Sequence, residues 1–286
     1  MPKFKSSLGS TYYIKKGRMT SNAPVISCHG GPGGTHHSLL PMLELATDRQ
    51  VVVFDQIGSG LSSDIDKRLW KIESFVKNLD ELIKHLKYDK VILHGSSWGG
   101  TLILEYYKRH PSKVCGLIFH SSLISEAMWA KDAKRLINKL PLKTKKIIHA
   151  CEEVGATDSK VYKEAMDEYY KRHVCRDLSV YKAKKQTRRR FNAGIYEYMW
   201  GPSEFCATGT LKKYNGISVL SNIKVATLFI CGQYDESTPE SNKIFAKKVK
   251  GAKFIAIKNA SHSSLREQKT QTLKTLKSFI TSIKNK

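Results

Sequence analysis

The sequence predicts an α/β fold, a mostly parallel central sheet with helices on both faces and an inserted all-helical cap. Three observations carry that prediction. Short apolar runs alternate with helical periodicity over residues 1–122 and again over 212–286. Between them, residues 123–211 show helical spacing alone. The run Lys90-Val91-Ile92-Leu93-His94 passes directly into Gly95-Ser96-Ser97-Trp98-Gly99 and then into a helical pattern, which reads as strand, sharp turn and helix.

Taken in order, residues 10–19 read as a first hairpin on an antiparallel edge. Pro24 to Cys28 is a buried strand that runs into His29-Gly30-Gly31-Pro32-Gly33-Gly34, where backbone N–H groups can approach a ligand closely. A phosphate-binding use of that loop lacks its Gly-x-x-x-x-Gly-Lys pattern. Gln50 to Asp55 is a second buried strand, and residues 72–87 place Phe75, Leu79, Leu82, Ile83 and Leu86 at helical spacing. After the Ser97 turn, Leu102, Tyr106 and Arg109 form one helical row, and Val114 to Phe119 is another strand. The cap reads as helices over 127–140, 144–154 and 159–174. The sheet resumes with strands at 225–231 and 253–257, a helix over 241–249, and a last helix over 265–283. Core, cap and core thus occupy 1–122, 123–211 and 212–286, with the cap over the strand ends, where such sheets bind ligands.

Composition excludes several function classes. The hydrophobic content of 41% in 286 residues is ordinary for a folded chain with a full core. The N-terminus has charge without an apolar segment behind it and no apolar run approaches membrane-spanning length, so a cytoplasmic location without membrane association is expected. The six cysteines show no Cys-x-x-Cys pair and no His at ligand spacing, so no metal is expected, and Cys28, Cys115 and Cys231 read as small hydrophobes on or beside strands. The formal net charge of +24 raises nucleic-acid binding, with Tyr181 to Arg190 its best patch. The lysines are spread over almost every segment and no nucleic-acid motif accompanies them, so a solvated basic surface is the expectation.

The Gly-x-Ser-x-Gly turn carries the chemistry. It lifts the Ser97 hydroxyl above the strand ends and sets the Trp98 N–H, at a helix start, to face whatever that hydroxyl attacks. A serine hydroxyl is a weak nucleophile and needs a base oriented by an acid. In this arrangement acid and base follow the serine in chain order. Asp235 falls in the loop after the strand at 225–231 and His262 in the loop after the strand at 253–257. A helix and a strand separate them, so both loops return to the edge that carries Ser97. The strand ending at Phe119 is followed by His-Ser-Ser, without a carboxylate. Gly31, in the glycine loop, is the second candidate oxyanion donor, with His29 and Pro32 stiffening that loop. Trp129 and Tyr196 read as core aromatics, with pocket walls the alternative.

His29-Gly-Gly-Pro-Gly33, Asp55-Gln-x-Gly-x-Gly-x-Ser62, Gly95-x-Ser-Trp-Gly-Gly100, Met199-Trp-Gly-Pro-Ser-Glu-Phe205 and Gly232-x-Tyr-Asp-Glu-x-Thr-Pro239 resemble the proline iminopeptidases of the α/β-hydrolase superfamily, above all those of the archaeal type that trim products of the tricorn protease. The resemblance spans nearly the whole chain. It implies removal of an N-terminal residue, preferably proline, from short peptides with a free N-terminus that a larger protease could supply, without a cofactor. Ser97 would be the nucleophile, His262 the base and acid, and Asp235 its orienter. Glu204 and Glu236 match the acidic residues that hold the substrate's amino group, which is mostly protonated at neutral pH. One departure is Ser96, which stands where the family usually has glycine and could narrow the turn. The alternatives are an esterase, lactonase or amino-acid amidase on the same triad, and a basic binding protein that retains the fold. A serine at position 97 argues against an aspartate-nucleophile dehalogenase or epoxide hydrolase.

Overall fold

Runs of β-branched residues buried on both sides make the centre of the molecule a sheet covered on two faces, as in Val51 to Phe54, where every side chain is inaccessible to solvent. The computed structural model of the protein describes residues 2–187 and 190–283, the side chains of 183–187 excepted. Its strands are β1 (Lys3–Ser6), β2 (Gly9–Lys16), β3 (Val25–Cys28), β4 (Val51–Phe54), β5 (Val91–Ser96), β6 (Val114–His120), β7 (Ala226–Gly232) and β8 (Lys253–Ile257). They lie in the order β1-β2-β4-β3-β5-β6-β7-β8. The pairs β1–β2 and β2–β4 are antiparallel, and all later neighbours are parallel.

The pleat sends alternate side chains to opposite layers. Ile26, Val52, Phe54 and Leu93 meet Phe75 of α1 (Ile72–His85), Leu102 of α2 (Trp98–Arg109) and Phe245 of the helix Pro239–Lys247. Val25, Val51, Val53 and Ile92 meet Leu39 and Met42 of a 3-10 segment and Leu276 and Ile280 of the last helix. Parallel register then sets the function-bearing edge. Cys28 pairs with Gly95, Ser96 with His120 and Gly232 with Ile257, so the loops holding the glycine cluster, Ser97, Asp235 and His262 all leave the carboxyl ends of adjacent strands.

Between β6 and β7 lie α3 (Glu126–Ile137), α4 (Leu142–Glu153), α5 (Lys160–His173), α6 (Leu178–Thr187), α7 (Ala193–Met199) and the short α8 (Ile217–Leu220). Ser125, Ser159 and Asn192 cap α3, α5 and α7 by accepting from first-turn N–H groups. Leu136, Ile148, Tyr162 and Tyr169 form a core cluster of their own. The remaining elements are α9 (Pro239–Lys247), α10 (Ser264–Glu267) and α11 (Lys269–Ser282).

Two expectations change. The first hairpin is β1–β2, residues 3–16, and most of the stretch at 10–19 is a single strand. Lys3 and Lys5 alternate with buried Phe4 and Ser6, and this lysine-rich start hides a half-buried strand. The final helix is broken at Gln268, where the Ser264 carbonyl accepts both the Gln268 N–H and the Thr272 hydroxyl and ends the first turn. In the basic stretch at 181–190, Arg188 and Arg189 lie outside the described residues. Among the described residues no helix is long and apolar enough to cross a membrane.

The turn at Ser97 depends on two close approaches. A Cβ on Gly95 would lie 2.2 Å from the Gly99 carbonyl oxygen, and one on Gly99 would lie 2.2 Å from that of Cys28. Both obstacles are backbone, so neither can swing aside. Alanine at Gly99 should gain about 1 kcal/mol of helix propensity yet destabilise the protein by about 1–3 kcal/mol net through overpacking. Urea unfolding of Gly99→Ala measures this, and an unchanged midpoint would refute the packing account.

Candidate active site

Ser97 has φ 55° and ψ −120°, a strained conformation for a residue with a side chain, immediately before α2. Three backbone hydrogen bonds hold it there. Its N–H donates to the His120 carbonyl at 3.0 Å, and its carbonyl accepts from Gly100 at 2.9 Å and Leu123 at 3.1 Å. The glycine loop passes directly over the side chain, since a Cβ on Gly30 would lie 2.9 Å from Ser97 Cβ. Trp98 begins the helix, so its N–H has no carbonyl one turn earlier to satisfy it. Ser96 closes β5 opposite His120 and lines the same cavity as Ser97, and the strained turn forms with serine at that position.

One side chain ties both candidate oxyanion donors to the sheet. Gln56 Nε2 donates to the His29 carbonyl at 2.9 Å, just ahead of Gly30 and Gly31, and Gln56 Oε1 accepts from Trp98 Nε1 at 2.9 Å. The Gln56 N–H also donates to His29 Nε2 at 3.0 Å, which fixes that ring in the loop. Next to it, Asp55 accepts from the His36 backbone at 2.7 Å, from His36 Nδ1 at 2.8 Å and from the Leu61 N–H at 2.9 Å. Burial opposes its charge, but these bonds and the neighbouring His29 hold the Asp55 carboxyl below its ordinary range.

Asp235 is buried in the loop after β7 with its carboxylate fully engaged. Oδ2 accepts from Ser121 Oγ at 2.5 Å and the Gly232 N–H at 3.0 Å, while Oδ1 accepts from the Ser237 N–H at 2.9 Å and His262 Nδ1 at 2.8 Å. With Nδ1 donating to this carboxylate, His262 keeps Nε2 as the acceptor nitrogen. The loop is fixed from the other side by α5. The carbonyls of His173 and Val174, at its C-terminal end, accept the N–H groups of His262 and Ser263 at 3.1 and 3.0 Å. The Trp129 ring stands edge-on to the His262 ring, centroids 5.9 Å apart.

Ser97, Gly31, His262 and Glu204 line one cavity of about 180 Å³. Glu204 projects from the chain after α7, where Trp129 Nε1 donates to its backbone carbonyl at 2.7 Å and Trp200 Nε1 to that of Ser203 at 2.8 Å. Glu236 is buried beside the site, with Oε1 3.7 Å from His262 Nδ1. Both acids share a compartment with tyrosines. Burial and then the Glu236 and Glu204 carboxylates push the Tyr169 phenol well above its ordinary value, and burial and then Glu204 do the same to Tyr196. Tyr196 is on the cavity wall, whereas Trp129 packs in the core and reaches the site only through His262 and Glu204. Among the described residues no group of three or more His, Cys, Asp or Glu side chains is placed to hold a metal ion. Ser121, whose signal in the sequence is no more than the His-Ser-Ser at the end of β6, and Gln56, which has only its place in a motif, are site residues that sequence reasoning misses.

A serine on a strained turn at the head of a helix and an imidazole bound to a buried carboxylate line one cavity beside a glycine loop on a doubly covered sheet, the layout of a serine hydrolase of the α/β-hydrolase class. Residues 23–268 match the family model described as alpha/beta hydrolase fold. The chain is 37% identical over 263 residues to the proline iminopeptidase of Heyndrickxia coagulans, covering 91% of each, and 34% identical over 286 residues to that of Saccharolobus solfataricus, covering 97% of this chain and 91% of the other. Among solved structures it is similar to VinJ, with a TM-score of 0.92, 29% identity and coverage of 99% and 98%. It is also similar to the proline iminopeptidase of Mycobacterium smegmatis, with a TM-score of 0.88, 27% identity and coverage of 98% and 97%. Within the α/β hydrolases, the chain belongs to the proline iminopeptidase family.

Behind Ser97 lies a buried imidazole pair. His94 Nε2 and His120 Nδ1 are 3.1 Å apart, and His120 Nε2 meets Ser264 Oγ at 2.7 Å. Burial lowers His120 to about 4 and His94 well below its ordinary value. Both rings are neutral in the fold while the unfolded chain takes up protons below about pH 6.5, so their contribution is complete above that pH and is lost as pH falls toward 4. Between pH 7 and pH 5 the unfolding free energy should fall by about 2 kcal/mol per imidazole. Urea unfolding at the two pH values tests this, and a His120→Asn variant whose pH difference matches the parent's would refute it.

Proposed function

We propose that the protein is a serine aminopeptidase that releases an N-terminal residue, preferably proline, from short peptides. The observation that carries this reading is the carboxylate of Glu204 on the wall of the cavity that holds Ser97 and His262, with Glu236 close by. Carboxylates there favour a substrate with a protonated amino group about one residue from the scissile carbonyl. That feature separates an aminopeptidase from an esterase or lactonase on the same fold.

In this reading Ser97 Oγ attacks the carbonyl carbon as its proton passes to His262 Nε2. Asp235 keeps the ring oriented and stabilises the imidazolium. The N–H groups of Gly31 and Trp98 receive the oxyanion, and a lost donor of this kind costs about 3 kcal/mol of transition-state stabilisation. Collapse breaks the C–N bond, and the leaving amine takes the proton from His262. Water, deprotonated by His262, then hydrolyses the prolyl ester and restores Ser97. The segment 123–211 would act as the cap that encloses the substrate and supplies Glu204. Buried thiols such as Cys28 and Cys231, pushed up by desolvation, behave as packing groups, which supports a cytoplasmic enzyme, and its short peptide substrates would be products of a larger protease.

The test compares a prolyl arylamide, its N-acetylated form and a simple acetate ester. Only the unblocked arylamide should be cleaved efficiently among the two amides, and Ser97→Ala should abolish both activities and fluorophosphonate labelling. Glu204→Ala should lower kcat/KM for the arylamide by about 10- to 100-fold, as expected for loss of a charged hydrogen bond, with ester hydrolysis retained. Equal loss of both activities would overturn the amine-site reading.

A further inference from the structure

The carboxylates account for one end of a peptide. The same cavity is lined by Arg266, half-buried and four residues past His262. Its Nη2 donates to the His37 carbonyl at 2.9 Å, which joins the segment after His262 to the segment after the glycine loop. Among the described residues no carboxylate pairs with this guanidinium. The neighbouring Glu267 is turned to other work, accepting from the backbone N–H and hydroxyl of Ser261 and from the N–H groups of Arg176 and Asp177. Burial lowers Arg266 from its ordinary value, consistent with a desolvated cation that lacks a counter-charge. His37 lines the same cavity, and burial, then His36, hold it below its ordinary value against the pull of Asp55, with the Arg190 and Arg266 cations adding to that lowering.

An arginine in this state presents remaining N–H donors in a planar fork suited to a carboxylate. Its position relative to His262 says which part of the substrate it would meet. The imidazole that takes the Ser97 proton must hand it to the leaving amine, so the leaving residue lies along the His262 segment. Arg266 sits one helical turn further on. The cavity, at about 180 Å³, is smaller than the roughly 300–1,000 Å³ typical of drug-sized ligands, so it has room only for a short peptide.

We propose that Arg266 receives the free α-carboxylate of a di- or tripeptide, so that the site reads a zwitterion, with acids at the amino end and an arginine at the carboxyl end. This inference rests on the aminopeptidase reading and adds a second determinant, substrate length, to it.

The experiment compares prolyl-alanine and prolyl-alanyl-alanine with their C-terminal amides. The free acids should exceed the amides in kcat/KM by about tenfold or more, the factor a charged hydrogen bond provides. In Arg266→Gln that ratio should fall toward one, and in Arg266→Lys, which keeps a point charge without the fork, it should be intermediate. A loosened fold would lower both substrates together and leave the ratio unmoved. Protection of Ser97 from a fluorophosphonate by the same acids and amides gives the comparison without turnover. A ratio near one in the parent, or one unchanged in Arg266→Gln, would overturn the proposal. Failure to cleave prolyl arylamide would instead overturn the aminopeptidase reading, with the protection ratio still deciding the role of Arg266.

Discussion

The buried charge of Asp235 is the constraint that assembles the site. A carboxylate with 1% of its surface exposed is costly unless every acceptor position is filled. Its donors come from the end of β6, the end of β7, its own turn and the loop after β8. Satisfying one charge therefore draws separate segments to one point. Ser121 adopts a φ of 50° at the position that donates to Asp235, so the backbone accepts strain there to complete the set. His262 is then positioned as the last donor to a group already fixed by the others. The imidazole's orientation follows from the buried acid together with the α5 carbonyls that hold its loop and the Trp129 ring set edge-on to it.

The helices between β6 and β7 take part in that assembly instead of merely covering it. The α5 carbonyls hold the His262 loop. Asp132 of α3 accepts from the hydroxyls of Thr238 and Ser241 at 2.6 and 2.5 Å, which anchors the segment just after Asp235 and Glu236. Asn192, capping α7, donates through its backbone to the Gly33 carbonyl at 2.9 Å and through its side chain to that of Gly58 at 2.7 Å. Each contact lands on a different loop of the site. A lid that swung away as a unit would release the His262 loop and the glycine loop together, so substrate entry through local openings would cost fewer of these bonds.

How much of this could be read from the sequence follows the range of each interaction. The Ser97 turn is local, and its glycines are dictated by backbone contacts within a few residues or between adjacent parallel strands, so the motif alone exposes it. Asp235 and His262 were legible through strand order, because each lies in the first loop after an apolar run. Glu204 was legible only through resemblance, since the turn presenting it depends on the indoles of Trp129 and Trp200. Ser121 was not legible, as its partner lies 114 positions away and a serine after a strand has no distinguishing pattern. Arg266 was hidden for a different reason. In a chain with 49 lysines and arginines, a single basic residue carries no signal until the structure shows which one stands half-buried on the wall of the Ser97 cavity.

The overall charge of +24 is at odds, at first sight, with the proposed binding of a cationic amino terminus. Screening resolves the conflict by distance. At physiological ionic strength the lysine surface is felt over about 8 Å, whereas Glu204 lines the cavity and Glu236 is buried beside it, where Coulomb forces are several-fold stronger than in water. A peptide zwitterion approaching from solvent has no net charge to be repelled, and its carboxylate is drawn to the basic rim while its ammonium is not yet committed. Once inside, the short-range fields differ at the two ends, and they can orient the molecule with its amino group toward the acids. Under the proposed reading, basic exterior and acidic residues would act at successive stages of one binding event, so the charge that would exclude a cation from the surface would help deliver a short peptide to the serine.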